Sequence, residues 1–435
     1  MQDQAGASSL AGASARVGAK AWVALGMLCF VYVLNFLDRQ LLSILAKPIQ
    51  DTLHVTDSQL GRIGGLYFAL FYCLIAIPVG WLADKSNRVH VLAVACGLWS
   101  LATMACGVSA NYSQLVMSRM AVGVGEAGGV PPSYAIITDY FPPGRRTTAL
   151  GLYNLGPPFG QALGVAFGAS IAAAYSWRLA FVVLGGAGVL TALGVVGFVR
   201  EPKRGGLDPA PATAAPAKAG FGSTVRMFVS NPSLVLISLA CGATQIVTYG
   251  AGNFSTLFLM RERGMTLQEV ALWVALATGV CMGGGMYVSG RIIDHFIKRS
   301  RRAYAIAPAL SLAAATPLFV AFAFAPTWPL ALLFLAGPML LNYFYLSSAV
   351  AFVHDEVRPD QRVLSGALLL LVMNLIGMGV GPTFVGWASD QFHAAHPHNS
   401  LQLAFLCLVP IYVLAIVLFL VLAYVLKPGP AGEKT

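Results

Sequence analysis

The chain has 435 residues, of which 57% are hydrophobic and only 10% charged, and its mean hydropathy is +0.73. A water-soluble domain carries about 25% charged residues, so this composition excludes a soluble globular protein and points to a chain solvated by lipid. The formal net charge of +10 does not argue for nucleic acid, because the basic residues cluster in separate loops and form no single patch.

Residues 1–20 form a small-residue tail of Ala, Ser and Gly without an apolar core, expected to be a disordered cytoplasmic segment and not a cleavable signal. Stretches of roughly 20 apolar residues, the length of a membrane helix, then begin. The first six are 21–46, 60–83, 89–109, 112–138, 148–172 and 178–199. Residues 200–231 follow, rich in Pro, Ala and Gly between 201 and 220, and read as a flexible cytoplasmic linker. Six more spans follow at 232–260, 267–292, 303–325, 328–353, 364–389 and 401–426, before a tail at 427–435. The expected fold is therefore an all-α membrane protein, with twelve transmembrane helices in two six-helix bundles, 21–199 and 232–426.

With the amino terminus in the cytoplasm, twenty of the 27 Lys and Arg residues fall in cytoplasmic segments and five in outer loops. That asymmetry places both termini in the cytoplasm and suits a multi-pass protein of the inner (plasma) membrane.

The two halves echo each other. Gly80 to Asp84 in GWLADKSNRVHVL is repeated more faintly by Gly290 to Asp294 in GRIIDHFIKR. Asp139, Pro142 and Arg145 share their spacing with Glu356, Pro359 and Arg362. Duplicated bundles that rock against each other are a common architecture of secondary transporters.

Other chemistries lack their residues. The seven cysteines lie in apolar stretches without metal-type pairing and read as packing residues. His393, His396 and His398 have no supporting cysteine, so no metal is expected. Gly123 to Gly129 lacks the Lys-Ser/Thr ending of a phosphate loop, so no nucleotide cofactor is expected. No nucleophile–base set is visible, so the chain does not read as an enzyme. A non-transporting receptor or scaffold would not need charges at membrane depth.

Such charges are present. Asp38 lies about 16 residues into the first span and Glu126 about 14 into the fourth, which at 1.5 Å per residue is near the bilayer midplane or modestly past it. Arg39 adjoins Asp38, and Arg119 shares a helical face with Glu126 seven residues on. Ionisable residues at this depth cost several kcal/mol and mark functional sites by default. The second half offers Gln245, Thr248, Tyr249, Asn253, Asn342, Tyr343, Tyr345 and Asn374 instead, side chains that suit either a weakly polar aromatic wall or interhelical contacts.

The turn at Gly80, Leu82, Asp84, Arg88 and Leu92 resembles the loop between helices two and three of the major facilitator superfamily, with Asn87 replacing a frequent Gly. Arg119-x-x-x-Gly123-x-Gly125 resembles that superfamily's helix-four motif. Gly151 and Gly156-Pro157-x-x-Gly160 resemble a helix-five motif of exporters and antiporters, with Gln161 where another Gly is common. NFLDRQ (Asn35 to Gln40), GEAGGVPPSYAIITDYFP (Gly125 to Pro142) and WRLAF (Trp177 to Phe181) are similar to the spinster group of lysolipid and sphingolipid transporters; these phrases also recur loosely in organic-anion and hexuronate carriers.

The resemblance implies the major facilitator fold and alternating access. Helices one and four line its central cavity, where Asp38 and Glu126 can face the same water and exchange a proton near neutral pH. Arg119 is implied as the partner of the proton-coupling carboxylate. The competing reading makes Asp38 a permanent partner of Arg119 or Arg39. Arg39 suits the head of an anionic substrate, with Tyr249, Asn253, Tyr343 and Asn374 as further contacts. Asp84, Arg88, Asp139, Arg145 and Arg146 are expected to form an inner-gate latch, made when the cavity faces outward. The expected function is proton-coupled transport of an amphiphile such as a lysophospholipid or sphingolipid, by a monomer in the lipid bilayer without cofactor or nucleic acid. An organic-anion or hexuronate symporter and a multidrug antiporter are the alternatives.

Overall fold

The computed structural model describes residues 17–205, 221–297, 299–358 and 361–426; the expected tails at 1–16 and 427–435 and the middle of the linker at 206–220 lie outside the described residues. Those described are helical, with no strand among them. Among the described residues, ten helices are long and apolar enough to cross a membrane: Ala19–Ile44 (span 1), Asp57–Lys85 (span 2), Arg88–Gly107 (span 3), Trp177–Phe198 (span 6), Pro232–Arg261 (span 7), Leu267–Ile297 (span 8), Ala303–Phe324 (span 9), Trp328–Glu356 (span 10), Leu364–His393 (span 11) and Ser400–Val425 (span 12).

Spans 4 and 5 complete the twelve, but each is broken. Span 4 runs as Tyr112–Glu126 and Val130–Tyr140, span 5 as Pro143–Tyr153 and Gly156–Ala174. The breaks follow from sequence. Gly128, Gly129, Pro131 and Pro132 interrupt the first, and Gly156, Pro157 and Pro158 restart the second. Proline lacks an amide donor and clashes with the carbonyl four residues back, so it opens a helix readily and continues one poorly.

Two short helices were not expected. Ala46–Leu53 lies between spans 1 and 2, and Phe221–Ser230 precedes span 7. The stretch after span 6 is also tied down. Arg204 donates to the carbonyls of Ala83, Asp84 and Ser86, while the Gly205 amide donates to Asp139. The linker thus begins as a strap across the end of span 2.

Within the first half, span 1 packs on spans 5 and 6, and span 3 on spans 4 and 6. In the second, span 7 packs on 11 and 12, and span 9 on 10 and 12. Helix pairs in lipid need close approach, because no hydrophobic effect drives them together. Span 5 obtains it from Gly156, Gly160, Gly164 and Gly168: a Cβ on Gly160 would sit 2.5 Å from the Val33 carbonyl oxygen.

Folding repeats the internal echo more clearly than sequence. Thr56 caps span 2 in a reciprocal box with Gln59, and Thr266 caps span 8 in the same box with Glu269. Each span then carries a π-turn, Ile63–Tyr67 and Val270–Val274. Contacts between the halves run along spans 2 and 11, 5 and 8, and 1 and 7.

Candidate functional site

Asp38 and Arg39 leave span 1 about 100° apart, as adjacent helical residues must. Asp38 is 1% exposed and turns into its own half, beside Leu34, Trp99, Thr103 and Leu184 in a narrow gap between spans 1, 3 and 6. There it accepts from Arg119 Nη1 at 3.3 Å. Arg39 turns the other way and donates through Nε to Glu126 Oε2 at 2.7 Å. Spans 1 and 4 are therefore joined by two crossed ion pairs, and Asp38 and Glu126 open on different surroundings.

Aromatic rings frame the cations. The Arg39 guanidinium lies 4.9 Å from the Phe36 ring, 5.2 Å from Phe68 and 5.0 Å from Tyr72. Arg119 reaches the same Phe68 ring at 5.7 Å. Cations over aromatic faces are attracted by the ring quadrupole, more so when desolvated. Arg39 keeps 15% of its side chain exposed, whereas Glu126 has none.

The pairs are incompletely satisfied. Asp38 Oδ1, Glu126 Oε1, Arg119 Nε and Asn35 Oδ1 are buried without a hydrogen-bond partner. A buried pair left in that state is a poor source of stability, since desolvation offsets the Coulomb gain. Its unpartnered atoms leave room for a change of partners.

Tyr249 of span 7 is half-buried and stands within electrostatic reach of Arg39. Tyr343 is half-buried where span 10 breaks, and its hydroxyl donates to Met282 Sδ at 3.7 Å. Asn374 is half-buried on span 11. Asn253 is held otherwise: its amide donates to the Tyr249 carbonyl, its own carbonyl accepts from Ser43, and Gly64 packs on its side-chain oxygen. It belongs to the seam between spans 1, 2 and 7. Asn342 and Tyr412 bond each other, tying span 10 to span 12, and Thr248 bonds back to Thr244.

Residues 28–362 match the family model described as Major Facilitator Superfamily. The chain belongs to the major facilitator superfamily. It is a multi-pass membrane transporter and not an enzyme. An MFS-type efflux pump of Mycolicibacterium smegmatis is 33% identical over 376 residues, 86% of this chain and 85% of that protein. Protein spinster homolog 1 of Xenopus laevis is 28% identical, over 86% of this chain and 74% of its own. Among solved structures, a bacterial homolog to the human lysosomal transporter spinster, in an inward-facing and unoccupied conformation, superposes with a TM-score of 0.87. It is 28% identical and covers 94% of this chain and 98% of that one.

At the turn between spans 2 and 3 of this major facilitator chain, two of the five expected latch residues meet. Arg88 donates to Asp139 at 2.7 Å and to Glu201 at 2.7 Å. Glu201 also accepts from the Val89 amide. Asp84 and Arg145 are exposed, and Arg146 donates to the Phe141 carbonyl. The cluster lies within the first half and draws in Glu201 and Arg204, which sequence reasoning had placed in a linker. In the second half, Arg301 pairs with Glu356 and Tyr304 donates to Asp355.

The opposite end of the bundles holds a cluster that sequence reasoning missed. Arg261 of span 7 donates to both carboxylate oxygens of Asp57 on span 2, at 2.9 and 2.8 Å. Asp390 of span 11 accepts from the Asp57 and Ser58 amides at 3.1 and 3.0 Å, capping span 2 from the other half. Thr56-x-x-Gln59 was a legible capping signal. Nothing local pointed to a partner 204 residues away.

Proposed function

We propose that the chain is a proton-coupled transporter of an amphiphile with an anionic head, a lysophospholipid or a sphingolipid-like molecule, working by alternating access. One observation carries this reading: Arg39 is flanked by three aromatic rings and bonded to Glu126, whose second oxygen has no partner. A proton on Glu126 weakens its hold on Arg39, and the guanidinium fork then suits a phosphate or carboxylate head. The rings and the weakly polar wall of Tyr249, Tyr343 and Asn374 accommodate an apolar body better than a polyhydroxylated sugar. Asp38 and Arg119 form the second coupling pair. Similarity to the spinster proteins supports the lipid-like class.

In the same reading the protein is a monomer of the inner membrane, its termini and linker are cytoplasmic, and its halves are 21–199 and 232–426. Asp84, Arg88, Asp139, Arg145 and Arg146 act at the inner gate, although the Arg88–Asp139 pair, lying within one half, is made here and is not reserved for the outward-facing state. The conformation is inward-facing, because outer charges bridge the halves while Arg88–Asp139 and Arg301–Glu356 stay within one half. The 33% identity to an efflux pump favours a second reading, export of a drug-like amphiphile.

Proteoliposomes with an imposed pH gradient separate these readings. Gradient-dependent movement of a lysolipid supports the first, movement of cationic drugs alone the second, and movement of a hexuronate without either removes both.

A further inference from the structure

Gln161 turns to the inner side of span 5, between spans 1 and 8. Gly160 and Gly164 meet span 1: a Cβ on Gly160 would lie 2.5 Å from the Val33 carbonyl oxygen, and one on Gly164 2.9 Å from Gln40 Cβ. Pro158 and Ala162 meet span 8 at Gly283 and Gly279. Phe159 and Leu163 are 58% and 50% exposed, on the face that lipid covers. Each lies two residues from Gln161, about 200° around the helix, so Gln161 points away from lipid.

There Gln161 Oε1 accepts from Gln40 Nε2 at 2.8 Å. A side-chain amide has an acceptor oxygen and a donor NH2, so one bond between two amides leaves an oxygen and an NH2 over. Among the described residues neither Gln40 Oε1 nor Gln161 Nε2 has a partner, and both atoms stay open to solvent on half-buried side chains. Exchanging oxygen and nitrogen in both amides reverses the bond and still leaves one acceptor and one donor over. Gln40 follows Arg39, which keeps 15% of its side chain exposed. The amides therefore stand one residue along span 1 from the cation.

We propose that the Gln40–Gln161 pair is a specificity site that reads a hydroxyl beside the anionic head of the substrate. A hydroxyl donates and accepts at once: its hydrogen goes to the Gln40 oxygen, and its oxygen takes a hydrogen from Gln161. An ether or ester oxygen only accepts and an ammonium only donates, so neither completes the pair. A methylene in its place leaves both amide groups unpaired once docking displaces their water. This role rests on the head-group reading of Arg39: the guanidinium takes the charge, and the amides take the group a few bonds away. Gln161 stands where the helix-five pattern commonly has glycine, which would leave Gln40 without its partner on span 5. A merely structural bridge would tie spans 1 and 5 together without regard to the ligand, so the deciding quantity is selectivity and not affinity.

The test titrates the purified full chain with lysophosphatidic acid and with its analogue lacking the glycerol hydroxyl. The parent should bind the hydroxylated compound about tenfold more tightly, less than a fully buried site would achieve because the amides are only half-buried. Gln161→Leu and Gln40→Leu should bring the two ligands within about twofold of each other, with Gln161→Ala as the second variant should leucine disturb packing. Arg39→Ala should weaken both ligands and keep their ratio, which separates the amide site from the head-group contact. No preference in the parent overturns the proposal, as does a preference that survives in the Gln40 and Gln161 variants. If neither phosphate-headed compound binds the parent, the lipid-head reading falls, and α-hydroxy and unsubstituted long-chain fatty acids carry the same comparison. Absence of a hydroxyl preference in either series removes the site.

Discussion

Arg39 and Glu126 meet at 2.7 Å across spans 1 and 4, although Arg39 is the chain neighbour of Asp38 and Glu126 shares its helix with Arg119. Each acid is bound to the base on the other helix. This crossing divides the four charges into one pair turned toward the centre and one turned into the first half.

Glu126→Gln should abolish gradient-driven transport, with uptake under a pH gradient falling about tenfold or more, while exchange without a gradient survives. An amide cannot release a proton but can still accept from Arg39. Asp38→Asn should show the same loss of gradient response, since it leaves Arg119 buried without a countercharge. Gradient-driven uptake at the parent rate in both variants would remove proton coupling from these residues.

Arg39→Ala should weaken binding of phosphate-headed amphiphiles about tenfold and leave uncharged amphiphiles of equal chain length within about twofold, because charge-assisted hydrogen bonds are the stronger kind. Arg39→Lys should recover part of the affinity, since the charge remains but the planar fork does not. Ligand-dependent thermal shifts on purified protein measure this. Equal loss for charged and uncharged ligands would sink the head-group role.

Arg88→Ala should lower stability by about 1–3 kcal/mol, as it strands the carboxylates of Asp139 and Glu201 at a largely buried junction. Glu201→Gln should cost less, because Asp139 still holds Arg88. The measurement is the melting temperature in detergent. If the Glu201 variant melts lower than the Arg88 variant, the strap after span 6 matters for another reason.

Glu262 lies just past span 7 and accepts from the Leu401 and Gln402 amides at 2.7 and 3.2 Å. Burial pushes its carboxyl above the ordinary 4.5, outweighing those two donors and the nearby Arg261 and Arg263. A carboxyl raised in the folded state holds its proton more tightly there than in the unfolded chain. Its contribution to stability is therefore fully present below the unfolded value and is lost as pH rises through the folded one. The melting temperature of the parent minus that of Glu262→Gln should grow as pH falls from about 7 toward about 4.5. A difference that shrinks over that range contradicts the assignment.

Much of the architecture was legible in the chain. Spans and the superfamily follow from hydropathy and from short motifs such as Gly80 to Asp84, because lipid imposes one rule on every helix that crosses it. Asp38, Arg39, Arg119 and Glu126 were visible for the same reason: charge at that depth is too costly to be incidental. The breaks in spans 4 and 5 were not read in the chain: both stretches, 112–138 and 148–172, pass for continuous runs on hydropathy alone.

Only the tertiary structure decided who pairs with whom. Helical spacing shows that Asp38 and Arg39 diverge, but not which base each acid meets, since that depends on the rotation and approach of spans 1 and 4. It likewise moved Asn253 into a seam, drew Glu201 from linker to strap, and brought Asp57 to Arg261 across 204 residues. Hydropathy and spacing are local along one helix; an ion pair between two halves is a property of how whole bundles dock.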